Sequence, residues 1–401
     1  MKKVSVITPW YNGITFVDRY MKMILAQTYS YIELIFIDDG STDGVIEKIH
    51  EYEPIIKKRG FQFIYIIQQH AGQAEALNKG LKVFTGDYVM SVDSDDILVP
   101  ECIEKRVEFL DHNLKYSMVT SKGWEADEKD LETLHDVYWM QTKEEENLFW
   151  RIVNRQISTF LLPYLFRGED LKKVIPEQTI YVNDKNTIQD IQVSLPMAYN
   201  YKCGFIDEYL FIYVIREASG CHEFISYPHK MYYYDGLEEI WLNTYKRMQM
   251  CDEDRKKAVQ KTKNVHARYR NTMICNYILQ HSDRDILMKQ IFQKRKLVIF
   301  GAGEFGEMVY RILSEKNFEI DFFIDNSHRR QKEGFCGKLV KMPKYLKNFN
   351  DKFIVLVVGS FHNEEMGEEL KQLGLIEGKD FYLYPSTNFM NEMNFDCTEI
   401  N

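Results

Sequence analysis

Two carboxylates separated by one residue, Asp93-Ser94-Asp95, follow directly on the apolar run Tyr88 to Val92. Alternating carboxylates at such a loop can put two hard oxygen ligands on one divalent cation, Mn2+ or Mg2+. Such a cation keeps positions free for the oxygens of a diphosphate. Its charge would stabilise a leaving nucleoside diphosphate. The competing reading is a helix cap, because acids ahead of Pro100 favour the N-terminus of the helix expected there. A second acidic loop, Asp38-Asp39-Gly40-Ser41, closes the run Leu34 to Ile37 and is open to the same two readings. In a third loop, Gly301-Ala302-Gly303-Glu304-Phe305-Gly306, the glycine spacing lets a diphosphate approach a helix N-terminus, and Asp325 stands 19 residues beyond Gly306.

The elements that must hold these loops alternate in type. Apolar strand runs are expected at Val4 to Thr8, Leu34 to Ile37, Phe61 to Ile67 and Tyr88 to Val92. Helices are expected from Phe16 to Gln27, after Ser41 and Asp43, from Ala74 to Phe84 and from Pro100. Strand and helix in turn predict an α/β fold with a parallel, doubly wound sheet. Ligands of such sheets sit beyond the carboxyl ends of the strands, where the acidic loops fall. Residues 119–225 mix short apolar runs with turns and resist assignment. Residues 236–293 read as helical, and Lys296 to Phe300 begins a second strand-loop-helix unit, followed by strands at Phe322 to Ile324 and Phe353 to Val358. The expected division is a catalytic domain over 1–225, a helical connector over 226–293 and a small domain over 294–401.

Order and spacing carry a resemblance over about 110 residues. The segments Val4 to Asn12, Gln27-Thr28-Tyr29, Glu33 to Asp43, Gly72-Gln73-Ala74 with Asn78 and Gly80, Gly86-Asp87-Tyr88 and Asp93 to Asp96 together resemble family 2 glycosyltransferases of the GT-A fold. The resemblance implies a mixed doubly wound sheet and a nucleotide-sugar donor, a UDP-sugar by the family's usual base. It implies that Tyr11 stacks on the base, with Pro9 in the same segment. Asp39, with Asp38 beside it, would accept from a base N–H. Gln73, Ala74 and Asn78 would line the donor pocket, although Asn78 can equally tie loops together. Asp93, Ser94 and Asp95 match the segment that holds the ribose, the diphosphate and the metal, with Asp95 as the first metal ligand; Asp96 reads as a cap.

The family's catalytic base is a carboxylate about a hundred residues after this motif, at the start of a helix. Asp190 stands 95 residues beyond Asp95, ahead of Ile191, Val193, Leu195 and Met197. Many relatives have Glu-Asp where this chain has Gln189-Asp190. Asp184 competes for the role, and an ordinary N-cap is the structural alternative. The implied chemistry is a single inverting displacement in which the base takes the proton of an acceptor hydroxyl. Further on, Arg216 matches the family's phosphate-closing stretch and His222 a metal ligand or an ordinary polar histidine. Ala218 stands where the family usually has a histidine, two residues after the arginine.

The glycine loop at Gly301, Gly303 and Gly306, with Asp325, resembles Rossmann-like nucleotide-binding domains of bacterial glycan-biosynthesis proteins. Fewer than 100 residues follow the loop, and packing, dimerisation or docking are its alternatives. An NAD-dependent oxidoreductase would rest on that loop alone, and a non-catalytic scaffold leaves the clustered acids unexplained.

Composition sets the outer limits. The chain has 401 residues, 45% hydrophobic and 28% charged, which supports packed cores. Sixty acidic against 51 basic residues give a net charge of −9, against a general nucleic-acid grip. No apolar run reaches the roughly 18 residues that cross a bilayer. Seven scattered cysteines fit a reducing cytoplasm, with no zinc knuckle or disulfide framework expected. The basic stretch Lys256-Lys257 and Lys261 to Arg270, with Tyr232-Tyr233-Tyr234 upstream, reads as a solvated helix face, or as a peripheral contact with a membrane or anionic acceptor. The acceptor class is a glycan, polymer or glycoprotein hydroxyl, and homo-oligomerisation stays open.

Overall fold

The chain enters a strand at once because Val4–Trp10 (β1) is mostly apolar and fully buried. It pairs in parallel with Ile32–Asp38 (β2) on one side and Tyr88–Ser91 (β4) on the other, while Gln62–Ile67 (β3) extends the sheet beyond β2. Burial of both faces explains the continuous apolar runs in place of an alternating pattern. Ile14–Leu25 (α1) and Val45–Arg59 (α2) cover one face with Val17, Tyr20, Met21, Ile24, Ile49 and Ile56, packed on Val4, Val6, Leu34 and Phe36. Gln73–Val83 (α3) covers the other through Ala76, Leu77 and Leu81 against Ile7, Ile35 and Ile37. Each such large apolar side chain contributes about 1.5–3 kcal/mol when fully buried. Helix α3 lies so close to β1 that a Cβ on Gly80 would sit 2.4 Å from Ile7 Cγ2.

The computed structural model describes residues 1–137, 148–157, 160–183, 190–216, 227–281, 295–349, 351–359 and 363–384, and the backbone alone for 227–232 and 271–281. Two compact units divide it, one of Met1–Ile225 with Asp235–Lys263, the other of Ser226–Tyr234 with Asn264–Asn401. Among the described residues the first unit holds a nine-stranded mixed sheet.

The segment that resisted assignment supplies most of the remaining strands of that sheet, in parallel and antiparallel pairings. Ile97–Leu98 (β5), Met118–Asp127 (β6), Asp130–Asp136 (β7), Leu165–Arg167 (β8) and Cys203–Ile215 (β9) give the order β3-β2-β1-β4-β8-β6-β9-β5, with β7 on the edge of β6. Cys102–His112 (α4), Leu148–Val153 (α5), Gly168–Val174 (α6) and Ile191–Asn200 (α7) lie between these strands in sequence. Helix α7 buries Ile191, Val193, Leu195 and Met197 in the same core as α3.

The helical stretch consists of Tyr227–Arg247 (α8) and Asp252–His281 (α9). Within the stretch expected as a connector over 226–293, Asp235–Lys263 groups with the first unit and Ser226–Tyr234 with the second. Ile240, Trp241, Tyr245, Met248 and Ala258 lie in the core of the first unit. Lys256 and Lys257 are exposed, while Ala258 and Thr262, four residues apart, are buried. The basic stretch is thus the outer face of a half-buried helix.

The second unit is a parallel sheet of Lys296–Phe300 (β10), Ile320–Ile324 (β11), Val340–Lys341 (β12), Phe353–Val357 (β13) and Phe381–Leu383 (β14), in the order β12-β11-β10-β13-β14. Glu304–Glu315 (α10), His328–Glu333 (α11) and Asn363–Gln372 (α12) connect its strands. Val298, Phe300, Ile324, Val355, Val357, Leu370 and Phe381 form its core.

Candidate active site

The loop after β1 is fixed from the loop after β2. Asn12 Oδ1 accepts from Thr42 N at 2.9 Å, and Asn12 N donates to Ser41 Oγ at 2.9 Å. Asp43 continues the clasp, taking Ile14 N at 2.8 Å at the start of α1 and Val45 N at 3.2 Å at the start of α2. This clasp leaves Tyr11 48% exposed at the lip of the sheet. Pro9 is buried within β1, opposite Ile37, and serves as sheet wall. Buried Asp38 holds its own turn through Ser41 N at 3.1 Å.

Asp39 is also buried and its carboxylate is crowded. Oδ1 accepts from Gln68 Nε2 at 2.7 Å and Ala71 N at 2.8 Å, and Oδ2 accepts from Gly72 N at 2.8 Å. His70 Nδ1 stands 2.9 Å from Oδ2. The His70 ring stacks on Tyr11, with centroids 4.0 Å apart and planes 18° from parallel.

Beyond β4, Asp93 accepts from Gln73 Nε2 at 2.9 Å, which joins α3 to the acidic loop. Burial, then the charge of Asp95, pushes the Asp93 carboxyl up to about 7. Asp95 forms an ion pair with Arg216 Nε at 2.5 Å, and its backbone carbonyl accepts from Arg19 Nη2 at 2.8 Å. Both guanidinium groups lie over Phe16, at 5.1 Å for Arg216 and 5.3 Å for Arg19. Ser94 is half-buried in the same loop.

The helix-cap reading of these acids does not hold. Helix α4 starts only at Cys102, its N-cap is Glu101, and no side chain caps it. Asp96, expected as a cap, instead receives Val214 N of β9 at 3.1 Å. Burial and the neighbouring Asp95 and Asp93 raise the Asp96 carboxyl well above the ordinary value.

Asp190 opens α7 with helical backbone angles and makes no side-chain cap. Its carbonyl takes Val193 N at 3.1 Å and Ser194 Oγ at 3.0 Å. Among the described residues no hydrogen bond is made to its carboxylate. Burial, then the charge of Asp93, raises that carboxyl well above the ordinary value. The strand-end loop and the start of α7, about a hundred residues apart in sequence, are therefore near enough for the charge of Asp93 to act on Asp190. Asp184, Gln189, Ala218 and His222 lie outside the described residues.

Asn78 is not an open pocket wall. It is buried, accepts from Ile180 N at 2.7 Å and donates to Ile180 O at 3.1 Å, so it ties α3 to the irregular segment around Ile180. Sequence reasoning passed over Arg19, Gln68 and His70. Gln68 and His70 flank the end of a strand, and the family motif points only to Gly72 and beyond.

The acidic cluster suits a hard divalent cation. Two half-buried carboxylates, Asp93 and Asp95, stand close enough that the charge of one raises the other, and Arg216 supplies the cation directly paired with Asp95. Among the described residues no group of three or more His, Cys, Asp or Glu side chains forms a ready metal site. Two carboxylates leave the rest of a coordination shell to ligand oxygens.

In the second unit the glycines are explained by chain closure. Gly301 has φ +118°, and a Cβ there would meet Val358 O at 2.3 Å; one on Gly306 would meet Gly301 O at 1.9 Å. Gly303 faces open space. Asp325 takes Ala302 N and Ser327 N, each at 2.7 Å, so both its oxygens are used in the loop. Glu304 and Glu307 in the first turn of α10 work against an anion at that helix end.

Comparison with known proteins finds two matched regions in the chain. Residues 5–166 match the family model described as glycosyl transferase family 2, and residues 293–380 match one described as C2185-like, N-terminal. An uncharacterized glycosyltransferase of Rickettsia conorii is 33% identical over 139 residues, covering 33% of this chain and 21% of that protein. TuaG of Bacillus subtilis, named as a candidate teichuronic acid biosynthesis glycosyltransferase, is 36% identical over 107 residues, covering 27% and 41%. The chain thus spans less than half the length of these curated relatives. The crystal structure of S. aureus TarS residues 1–349 in complex with UDP superposes with a TM-score of 0.50 at 17% identity, covering 72% of this chain and 77% of that one. The α/β fold with a large mixed sheet is shared with that glycosyltransferase structure, and residues 5–166 carry the sequence pattern of glycosyl transferase family 2.

Proposed function

We propose that this protein is an inverting glycosyltransferase that moves a sugar from a nucleotide-sugar donor, a UDP-sugar, to a hydroxyl of a glycan, polymer or glycoprotein. The observation that carries the reading is Asp190. Its carboxylate is desolvated, is raised by Asp93 and has no hydrogen-bond partner among the described residues. A carboxylate with raised basicity at the edge of an acidic, phosphate-suited loop is equipped to take a proton.

In this reading Tyr11 and Asp39 receive the nucleobase, and Gln73 holds Asp93 in place beside the diphosphate. Asp95 and Asp93 would hold a divalent cation. When bound, the cation supplies positive charge to the leaving diphosphate. Arg216, already at Asp95, is placed to accept phosphate charge. Asp190 removes the acceptor hydroxyl's proton as that oxygen forms its bond to the anomeric carbon. The bond from that carbon to the donor's phosphate oxygen breaks in the same displacement, so the configuration inverts. The complex of TarS residues 1–349 with UDP supports the choice of nucleotide.

The second unit has the strand order of a Rossmann-like sheet. Its loop glycines serve the turn, and Asp325 is engaged within it, which favours a packing or docking role over dinucleotide binding. The reading is tested by incubating the purified protein with a panel of nucleotide sugars and Mn2+ and measuring free nucleoside diphosphate. Release from one donor supports it; no binding and no release from any donor rejects it.

A further inference from the structure

His70 reproduces, within the chain, the two contacts that the proposed function assigns to a nucleobase. Its ring lies flat on Tyr11, 4.0 Å away and 18° from parallel. Its Nδ1 lies 2.9 Å from Asp39 Oδ2 and 3.2 Å from the Asp39 carbonyl oxygen. Both of those atoms are acceptors, so Nδ1 carries the proton and donates. A flat ring that stacks on Tyr11 and gives an N–H to Asp39 is the pattern a uracil would present.

The contacts compete. A carboxylate offers about four acceptor positions. Those of Asp39 are taken by Gln68 Nε2, Ala71 N, Gly72 N and His70 Nδ1. Two of the four donors are backbone groups of the turn that opens α3 and cannot leave without unmaking it. The His70 side chain is 51% exposed, whereas Asp39 is 3% exposed, so the imidazole can turn out to solvent while the carboxylate stays fixed.

We propose that His70 is the residue that sets donor affinity, by holding the base slot closed until a nucleotide displaces its ring. The proposal rests on the reading that Tyr11 and Asp39 receive the base. A nucleotide then binds only the fraction of molecules with the ring turned out, and its apparent dissociation constant is the intrinsic one divided by that fraction. Removing the ring abolishes the competition. Since the ring gives up both a stack and a charge-assisted hydrogen bond, the expected gain is on the order of tenfold.

The test is calorimetric titration of the wild type, His70→Ala and His70→Asn with UDP, GDP, CDP and ADP, and separately with pyrophosphate, all with Mn2+. Melting curves establish that each variant folds, and the asparagine variant serves if alanine does not. The expected result is tighter binding of a nucleoside diphosphate in the variant and unchanged pyrophosphate binding, because pyrophosphate has no base. Equal or weaker nucleotide binding in both variants overturns the role of His70. A parallel change in pyrophosphate binding also overturns it, since it would mark a general effect on the loop. If neither the wild type nor a variant binds any nucleoside diphosphate, the nucleotide-sugar reading itself falls.

Discussion

Replacing Asn78 with alanine separates two readings of one residue. In the structure the Asn78 side chain satisfies both backbone groups of Ile180, at 2.7 Å to its N–H and 3.1 Å to its C=O, and both residues are buried. Alanine removes the partners and leaves a buried donor and a buried acceptor unsatisfied. Each such group costs about 1–3 kcal/mol, so the loss is about 2–6 kcal/mol. For a unit of about 250 residues, 1 kcal/mol moves the melting point by about 2–4 °C, which places the expected drop at about 4–24 °C. The assay is thermal and urea unfolding of the whole chain beside the wild type, followed by donor KM and kcat below the new transition. As a tie, Asn78→Ala lowers stability first and disturbs turnover through the displaced 179–183 segment. As a pocket wall, the substitution raises donor KM with stability within about 0.5 kcal/mol of wild type. The second outcome would refute the tie.

Three further outcomes are expected. Gly80→Ala places a methyl 2.4 Å from Ile7 Cγ2 at the α3–β1 contact; overpacking there costs about 1–3 kcal/mol, and urea midpoints within error of wild type would contradict that close approach. Gly301→Ala puts a side chain at φ +118° and 2.3 Å from Val358 O; limited proteolysis or amide exchange should show residues 295–384 loosened while peptides from β1 and β2 keep their protection. The pH profile follows from the raised Asp190 carboxyl. A base must be deprotonated, so turnover per donor bound is low at acid pH and climbs as pH rises through that raised value. An acid limb in the range of an ordinary aspartate, near 3.8, would count against the assignment.

The parallel half of the first sheet was legible because burial on both faces writes continuous apolar runs, and each run ends in a loop of distinctive polar residues. The acidic loop after β4 stood out for the same reason. The mixed half was not legible, because its strands take their identity from partners far along the chain: β6 pairs in parallel with β9 and antiparallel with β8, and the edge strand β7, DLETLHD, is mostly exposed and carries little apolar signal. Asp190 was reached by resemblance and spacing; nothing in its own neighbourhood shows that α7 brings it toward Asp93. Asp96 misled for a local reason, since an acid before a helix reads as a cap, whereas its partner is Val214, 118 residues on. The division of the helical stretch between two units was hidden as well, because amphipathic spacing tells which face is buried and not against which core. His70 had no signal at all. Its meaning comes from a ring on the loop after β1 and a carboxylate on the loop after β2, which only the fold brings together.

The most direct test of the account is Asp190→Asn, which keeps the shape of the side chain and removes its ability to take a proton. Nucleotide-sugar turnover and donor binding are measured on the same preparation in the presence of Mn2+. The account predicts turnover reduced by about 100-fold or more, the scale of a lost general base, with the donor dissociation constant within a few-fold of wild type. Turnover at the wild-type rate in the folded variant would contradict it.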